Sequence, residues 1–548
     1  MFARTKRSRT TVVAFVLVLL LSMTTMAGAK PAAPPDRSGG PAVENVILFV
    51  GDGMHLQHEI AASRYLTGHD TKLGFHRFPY RGNVATWDVS TYDDYVRTDW
   101  FEDAELFDPA APINPLLGYD ASRGGEQPYP LSDVPDEEYF LTIGEGLGRW
   151  IAGDSASTAT SMSAGIKTDD GRLGWDPAAA ADPGPVTTII EHLQEKRDFA
   201  TGVVSSVQIP HATPAAFVAH HTDRGAYLEI MDEILTQTRP DVVIGSGHPC
   251  PDGADEGCTY DFISEGLYED MKVDEEYVFV EREPSVDGGQ TIRDGAVEAV
   301  ADGKKLFGLF GDPAKFDPPM PAHSPGSPQI DPGAKEDPLL RDATRAALDV
   351  LSADEDGFFL MVEQGDLDWA NHENDYEWMI GTSWDLDQAV NEAVEYVARP
   401  DNDMTWANTL LIVTSDHANS YMRLTDDPVL GKGELPDPDS WEGEVGGKYE
   451  GEGVTYQTDH HTNELVRLYA RGAGASHFKN YEGAWYPGTD IIDNTQIYLT
   501  MMEVLGETVE SPYEVVIPDA PMTKDDCRNG GWEDYGFKNQ GQCISSLK

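Results

Sequence analysis

Polar side chains follow four of the most apolar segments of the chain, at the points where these segments end. The segments are 46–50, 200–204, 358–362 and 410–413, and the polar residues are Asp52, His211, Thr213, Glu363, Asp416 and His417. Carboxylate, hydroxyl and imidazole groups of these types bind zinc and magnesium ions in proteins. A single residue of this kind is most often a helix cap or a turn former, but four segments that all end this way favour a shared site.

A further pair with the spacing of metal ligands is Asp368 and His372, which are four residues apart. On a helix the two side chains would lie on one face and could bind the same ion. The alternative interpretation is a solvated pair on a helix surface. Because Glu363 lies just upstream and Asp416 and His417 supply ligands of the same types, we expect a metal centre.

The ligand types predict more than one kind of ion. Zinc takes histidine nitrogen and aspartate oxygen in a tetrahedral set, whereas magnesium prefers oxygen ligands and retains waters. Asp52, Thr213 and Glu363 therefore suit magnesium better than zinc. The sequence predicts a cluster of mixed metals.

Ser155 lies within a run of small residues, 153–168, which is typical of a helix that another group approaches closely. At the start of such a helix, the dipole and the free N–H groups favour an anion. A neighbouring zinc ion would hold the hydroxyl as an alkoxide nucleophile. The alternative is an ordinary serine at a helix N-terminus.

The elements that must position these residues alternate along the chain. The apolar segments suit strands that are buried on both faces, and the segments 186–195, 339–351 and 386–397 between them have helical patterns. Such alternation predicts an α/β fold with a largely parallel central sheet and helices on both faces. The ligand crevice of such a sheet lies outside the carboxyl ends of its strands, so the polar residues are expected to converge there.

The ends of the chain and two internal segments depart from this rhythm. Residues 1–29 combine four basic residues with a short apolar run and small residues, which predicts a cleaved signal peptide and an exported protein. Residues 30–43 are expected to form a flexible lead-in, 86–142 and 423–455 surface insertions, and 507–548 a C-terminal extension. The ten-residue apolar run near the N-terminus is too short for a membrane anchor.

The four cysteines fall into two local pairs, Cys250 with Cys258 and Cys527 with Cys543. Export permits disulfides, so two short-loop disulfides are predicted. The formal net charge of -56 excludes a surface that binds nucleic acid through its phosphates, since that mode needs clustered lysine and arginine. The same acidic excess suggests a saline or marine medium.

Several segments together resemble those of a known family. The motifs are 45–54, 154–156, 211–224, the pairs Asp368 with His372 and Asp416 with His417, and His461 followed by Thr462. In this pattern the chain resembles the metal-dependent alkaline phosphatases over about residues 44–506, apart from the two insertions. The family is usually dimeric, so the resemblance implies a homodimer that acts on small phosphomonoesters.

The resemblance also implies a role for each matching residue. Asp368, His372 and His461 would hold one zinc ion, Asp52, Asp416 and His417 a second, and Asp52, Thr213 and Glu363 one magnesium ion. Ser155 would be the nucleophile that forms a phosphoserine. Arg224 would bind two phosphate oxygens with its planar fork, which lysine cannot reproduce.

Two positions depart from the enterobacterial version of the family, which has Asp and Lys where this chain has His211 and Trp369. Imidazole suits zinc better than magnesium, so His211 is expected to reach magnesium only through waters. Without a cation at Trp369, product phosphate should bind more weakly.

Three alternatives stand beside this interpretation. A phosphodiesterase of the same superfamily would use a similar two-metal site, but Arg224 favours monoesters. A sulfatase is disfavoured because no Cys or Ser has the Pro and Arg spacing that its modified nucleophile needs. A non-catalytic acidic protein that binds cations would explain the charge but not the spacing of the ligands.

Overall fold

The computed structural model describes residues 43–98, 104–141, 151–250, 257–311, 315–400, 403–443, 447–449 and 451–517. The strands in these residues are β1 (Asn45–Gly51), β2 (Tyr80–Ala85), β3 (Ala200–Gln208), β4 (Val242–Ser246), β5 (Tyr277–Glu281), β6 (Lys305–Phe310), β7 (Met320–Ala322), β8 (Gln329–Asp331), β9 (Phe358–Gln364), β10 (Thr409–Thr414), β11 (Ala418–Asn419), β12 (Arg423–Leu424), β13 (Trp441–Glu442), β14 (Lys448–Tyr449), β15 (Val454–Thr455), β16 (His461–Thr462), β17 (Val466–Gly472) and β18 (Ile491–Asp493).

The helices alternate with these strands along the chain. They are α1 (Leu56–Thr67), α2 (Val89–Val96), α3 (Ala121–Gly124), α4 (Glu138–Leu141), α5 (Ser155–Ala164), α6 (Ile189–Arg197), α7 (Ala212–Ala215), α8 (Tyr227–Glu233), α9 (Glu265–Met271), α10 (Gly288–Asp302), α11 (Leu340–Leu351), α12 (Asp366–His372), α13 (Tyr376–Val397) and α14 (Thr495–Val504). A π-helix, Ile234–Thr238, continues α8.

Ten strands form the central sheet, in the order β18-β2-β17-β10-β1-β9-β3-β4-β6-β5. The seven strands from β10 to β5 are all parallel to one another, whereas β17 is antiparallel to both β10 and β2. The predicted α/β class with a largely parallel sheet is confirmed. The apolar segments 46–50, 200–204, 358–362 and 410–413 all lie in its strands.

Helices cover both faces of this sheet. Alternate side chains of each strand point to opposite sides, so each strand contributes to a core on each face. Val46 and Leu48 of β1 belong to a core that includes residues of α5, α6 and α14. Ile47 and Phe49 belong to a second core with residues of α1, α10, α11 and α13. Both faces of the strands are therefore buried from solvent, which explains their continuous apolar runs.

The two predicted insertions contain structure of their own. In the segment 86–142, aromatic residues such as Trp87 and Tyr95 form a third core, which also takes in Tyr421 and Tyr486. The segment 423–455 carries the small antiparallel sheet β12-β15-β14-β13. The first segment directly follows β2 in the chain, and the second follows β10 and β11.

Two helices differ from their predicted bounds. Helix α6 begins at Ile189 rather than at 186, because Thr188 and Glu191 form a capping box there. Helix α13 begins at Tyr376 rather than at 386, where the side chain of Asp375 accepts a hydrogen bond from the N–H of Trp378. The periodic pattern alone had identified only its second half.

The predicted disulfide between Cys250 and Cys258 is present. The predicted signal peptide, the lead-in up to residue 42 and the second disulfide, Cys527 with Cys543, lie outside the described residues. Within the described part of the chain, no helix has both the length and the apolar character needed to cross a membrane.

Candidate metal centre and nucleophile

The predicted ligands converge at the carboxyl edge of three neighbouring strands. Asp52 follows β1 directly, Glu363 lies near the end of β9, and Asp416 and His417 follow β10. Because β1 lies between β9 and β10 and all three are parallel, these side chains emerge side by side.

Gly53 allows the chain to turn sharply after Asp52. It adopts a φ of 67°, and a Cβ there would lie 2.7 Å from Oδ1 of Asp368. Its N–H donates to Oδ1 of Asp416 over 3.1 Å. A side chain at this position would both strain the backbone and displace Asp368.

The first group of potential ligands contains Asp368, His372 and His461. Nε2 of His372 lies 3.2 Å from Oδ2 of Asp368, and Nε2 of His461 lies 3.4 Å from its Oδ1. The two Nε2 atoms are only 3.1 Å apart. Each Nδ1 contacts a backbone carbonyl, that of Asp459 at 2.6 Å and that of Gly153 at 2.9 Å. An imidazole that donates from Nδ1 presents a lone pair at Nε2, so the two lone pairs and the carboxylate suit a cation.

The second group contains Asp52, Asp416 and His417, all of them buried. Nε2 of His417 lies 3.3 Å from Oδ1 of Asp52 and 3.3 Å from Oδ2 of Asp416. Within the described residues, neither of these oxygens has a hydrogen-bond partner. Burial lowers the pKa of His417 to about 4, so its imidazole is neutral and available as a ligand.

The third group contains Asp52, His211 and Glu363. The hydroxyl of Thr213 donates to Oδ2 of Asp52 over 3.4 Å, and that of Ser205 donates to Oε2 of Glu363. A ligand atom of His211 lies within 4.8 Å of those of Asp52 and Glu363, a spacing that fits the predicted contact with magnesium through waters as well as direct binding. Across the described residues, Oε1 of Glu363 and Nδ1 of His211 have no hydrogen-bond partner.

The carboxylates at this edge repel one another. Burial and then the charges of Asp416, Asp368 and Glu363 raise the pKa of Asp52 well above its usual range. Burial likewise raises the pKa of Glu363 to about 7. Among the described residues, one oxygen of each of Asp52, Glu363 and Asp416 has no hydrogen-bond donor. Bound cations stabilise buried carboxylates that repel one another in this way, so the residues present fit the predicted ions.

Ser155 begins α5, directly beside the second group. Asp154 caps the helix by accepting a hydrogen bond from the N–H of Ser157. Oγ of Ser155 lies 3.2 Å from Nε2 of His417 and 3.5 Å from Oδ2 of Asp52. The positive end of the α5 dipole and the metal-ligand groups therefore meet at one hydroxyl.

Arg224 is held by Asp154, the residue that precedes Ser155. Its Nη1 donates to Oδ2 of Asp154 over 2.9 Å, and its Nη2 lies 3.3 Å from Nε2 of His211. The ring of Trp369 meets that of His211 edge to face at 5.7 Å. Burial, with help from the charge of Arg224, lowers the pKa of His211 to about 3, so Arg224 faces a neutral ring.

The motif 154–156 contains Asp154 but assigns it no role. Its capping of α5 is the usual role of an acidic residue at a helix N-terminus, whereas its ion pair with Arg224, 70 positions away, has no local sequence signal. His460, the neighbour of His461, does not join the first group. Its side chain is 53% exposed and contacts Asp459.

Comparison with known proteins assigns the chain to a family. The sequence matches the family model described as alkaline phosphatase over residues 149–431, which is more than half of the chain. The chain belongs to the alkaline phosphatase family. Members of this family are phosphoric monoester hydrolases.

Two curated members of the family illustrate the range of similarity. Alkaline phosphatase of Escherichia coli (strain K12) is 29% identical over 517 residues, which cover 88% of this chain and 90% of that protein. Alkaline phosphatase 3 of Bacillus subtilis (strain 168) is 31% identical over 273 residues, which cover 48% of this chain and 49% of that protein. The second match thus spans about half the length of that relative.

A solved member of the family shares the fold. Alkaline phosphatase from the Antarctic bacterium TAB5 superposes with a TM-score of 0.52 at 22% identity, covering 85% of this chain and 99% of that chain. A variant of the TAB5 enzyme has been solved with magnesium bound in its M3 site.

Proposed function

We propose that this chain hydrolyses phosphate monoesters to phosphate and alcohol through a phosphoserine formed on Ser155. The observation that carries the proposal is the position of the Ser155 hydroxyl. It lies at the start of a helix and within 3.5 Å of two members of a metal-ligand group, and the cap of that helix, Asp154, holds Arg224. A nucleophile, an anion-binding helix end and a guanidinium are the groups that phosphoryl transfer needs.

The proposal includes two zinc ions and one magnesium ion per chain. Their ligands are one set of Asp368, His372 and His461, a second of Asp52, Asp416 and His417, and a third of Asp52, Thr213 and Glu363. Support comes from the histidine nitrogens of the first two sets and the oxygens of the third, together with the magnesium in the TAB5 variant. Bound there, the cations would neutralise the carboxylates and act as Lewis acids toward the phosphate oxygens.

The residues of the chain supply the remaining steps. The Ser155 hydroxyl gives up its proton as Oγ attacks phosphorus in line with the ester oxygen, the bond between phosphorus and the ester oxygen breaks, and that oxygen takes up a proton and leaves as the alcohol. Water then attacks phosphorus of the phosphoserine, the bond between phosphorus and Oγ breaks, and Oγ takes up a proton from the water, which releases phosphate and restores the serine hydroxyl. The guanidinium of Arg224 binds two non-bridging oxygens throughout the reaction. Because Asp154 already orients this side chain, little further conformational entropy is lost when substrate binds.

Arg224 also favours monoesters over diesters. A monoester presents three non-bridging oxygens, so two can face the guanidinium while the third faces the cations. In a diester one of these oxygens carries a second substituent. The phosphodiesterase alternative therefore requires a different partner for this part of the substrate.

The proposal extends to where the enzyme works and to its assembly. The N-terminal pattern and the disulfide between Cys250 and Cys258 support export to the periplasm or the medium. The likeness to a usually dimeric family supports a homodimer.

The deciding experiment compares hydrolysis of nitrophenyl phosphate with that of bis(nitrophenyl) phosphate at alkaline pH. The mature protein is assayed before chelation, after chelation, and after zinc and magnesium are restored separately and together. Monoester hydrolysis that is lost on chelation and fully recovered only with both metals is expected. A preference for the diester would remove Arg224 from its role, and hydrolysis of neither ester would favour the cation-binding protein.

A further inference from the structure

Two consecutive residues after the second ligand group have left-handed backbone conformations. Ser420 has a φ of 67° and Tyr421 a φ of 45°, and neither is glycine. Side chains with a Cβ are disfavoured in this region by contact with the backbone. Such a turn persists only where its surroundings hold it, and here it lies three residues beyond His417.

The turn lies close to two of the histidines in the ligand groups. It follows β11, which pairs with β16 so that Asn419 is opposite His461. The N–H of Ser420 donates to the carbonyl of His460 over 3.0 Å. The rings of His417 and His461 stack at 3.6 Å, so a shift of the turn would separate them.

Arg423 clamps the far side of this turn. Its guanidinium lies between two rings, 3.5 Å from the centre of Tyr421 and 4.7 Å from that of Tyr129. Its Nη2 donates to Oε1 of Glu464 over 2.7 Å, and Oε2 of Glu464 accepts from the hydroxyl of Thr462. The clamp therefore joins the ring of Tyr421 in the strained turn to the strand that carries His461.

The environment makes this contact strong and specific for arginine. The side chains of Arg423 and Glu464 are 13% and 6% exposed, so loss of one charge would leave the other buried without a partner. A planar guanidinium can stack on tyrosine rings while it donates along its edge. A lysine ammonium would keep the charge but not this geometry.

We propose that Arg423 is a positioning residue that holds the Ser420–Tyr421 turn and so sets the separation of His417 and His461 for zinc binding. The inference rests on the proposed function, since it concerns the two zinc sites named there. Tyr129 belongs to the segment 86–142, so the proposal also gives that segment a part in shaping the metal centre. In the described part of the chain, the Arg423 side chain contacts Tyr421, Tyr129 and Glu464 and none of the proposed zinc ligands, so its effect would pass through the turn and Glu464.

The test measures zinc release from the loaded protein into excess chromogenic chelator, with wild type and Arg423→Lys compared at one pH. We expect zinc release about ten-fold faster in Arg423→Lys, in line with the usual effect of losing support for a ligand. We expect kcat to fall while KM for nitrophenyl phosphate changes little. Arg345→Lys is the matched control, because Arg345 also pairs with acidic residues, Asp349 and Glu392, and lies over a tyrosine ring.

A second substitution distinguishes positioning from general stability. Glycine adopts the backbone of residue 420 without steric cost, so Ser420→Gly should remove the strain at that residue, although Tyr421 keeps its own and the 3.3 Å contact of the Ser420 hydroxyl with Nε2 of His58 is lost. The double variant Arg423→Lys with Ser420→Gly is therefore expected to release zinc more slowly than Arg423→Lys alone. If Arg423→Lys does not fold, Tyr129→Leu removes one ring of the clamp only and should still accelerate release.

Three results would overturn the inference. One is equal zinc release from wild type and Arg423→Lys, or from wild type and Tyr129→Leu where that variant is used. Another is an equally large acceleration in Arg345→Lys, and the third is no recovery on adding Ser420→Gly. A wild-type protein that holds no zinc at all would overturn the proposed function as well, so the two failures are distinguishable.

Discussion

Oγ of Ser155 and Nε2 of His417 lie 3.2 Å apart, although 262 positions separate the two residues in the sequence. Ser155 starts α5, and His417 follows the strand β10. The hydroxyl is thus held against a neutral imidazole and the carboxylate of Asp52, with little freedom to turn away. This contact gives the serine its proposed role, because position rather than side-chain type separates it from the other serines of α5.

Replacing Ser155 by alanine should abolish turnover without emptying the metal sites. The substitution removes the nucleophile but no proposed ligand, so we expect kcat to fall by about a thousand-fold or more. Zinc and magnesium contents measured by elemental analysis should match those of wild type. Ser161→Ala, on the same buried helix, is the control and should remain active. Substantial turnover by Ser155→Ala would exclude the covalent route.

Replacing Arg224 by alanine should mainly weaken phosphate binding. The variant loses two charge-assisted hydrogen bonds to the substrate and leaves Asp154 without its ion pair. We expect KM for the monoester and the inhibition constant of phosphate to rise by about ten- to a hundred-fold. Arg224→Lys should recover only part of this loss, since lysine lacks the fork. An unchanged inhibition constant in both variants would show that phosphate binds elsewhere.

Replacing Trp369 by lysine should tighten the binding of product. The tryptophan ring lies against His211, close to Arg224, so an ammonium at this position adds a charge near the phosphate. We expect the inhibition constant of phosphate to fall several-fold, and by no more than about ten-fold. Where phosphate release limits turnover, kcat should fall as well. Trp369→Leu supplies the uncharged comparison, and equal inhibition of the two variants would count against an electrostatic effect.

His220 should stabilise the fold most strongly at acidic and neutral pH. Burial alone would lower its pKa, but Glu191 and Glu233, which flank its ring, raise the pKa from 6.5 to about 10. Because the folded protein binds this proton more tightly than the unfolded chain, the stabilisation is complete below about pH 6.5 and is lost as the pH rises through about 10.

Urea unfolding of wild type and His220→Gln at several pH values would measure this contribution. We expect the free energies of unfolding to differ by about 2 kcal/mol at pH 6 and to converge near pH 10. His192, whose ring contacts Glu507 and is more exposed, supplies the control substitution His192→Gln. A difference that grows with pH would have the wrong sign for a raised pKa.

The part of the site that the sequence predicted is the part made by adjacent parallel strands. Asp52, Glu363 and Asp416 end buried apolar runs, and the topology of such sheets brings those ends together. The pair Asp368 and His372 was predicted for a similar reason, since both lie on one turn of α12. These predictions needed only local spacing and a general property of the fold.

The rest depends on contacts between distant segments that no local pattern records. The family motif identifies His461, but its position beside Asp368 depends on the pairing of the two-residue strand β16 with β11 across residues 420–460. The clamp of Arg423 requires Tyr129, which is almost three hundred residues earlier in the chain. Its Cβ-bearing left-handed turn is visible only in three dimensions, because serine and tyrosine carry no sequence signal for that conformation.

The adjacent histidines 460 and 461 offer the sharpest test of the metal assignment. Nε2 of His461 lies 3.4 Å from Asp368, whereas the His460 side chain is half exposed and contacts Asp459. His461→Gln should therefore lose about one zinc ion per chain, because glutamine cannot replace the imidazole lone pair in a three-residue site. His460→Gln changes the same residue type one position away and should retain both. Zinc counted by elemental analysis after gel filtration decides between them, and a loss confined to His460→Gln would move the ligand by one residue and with it the register of β16.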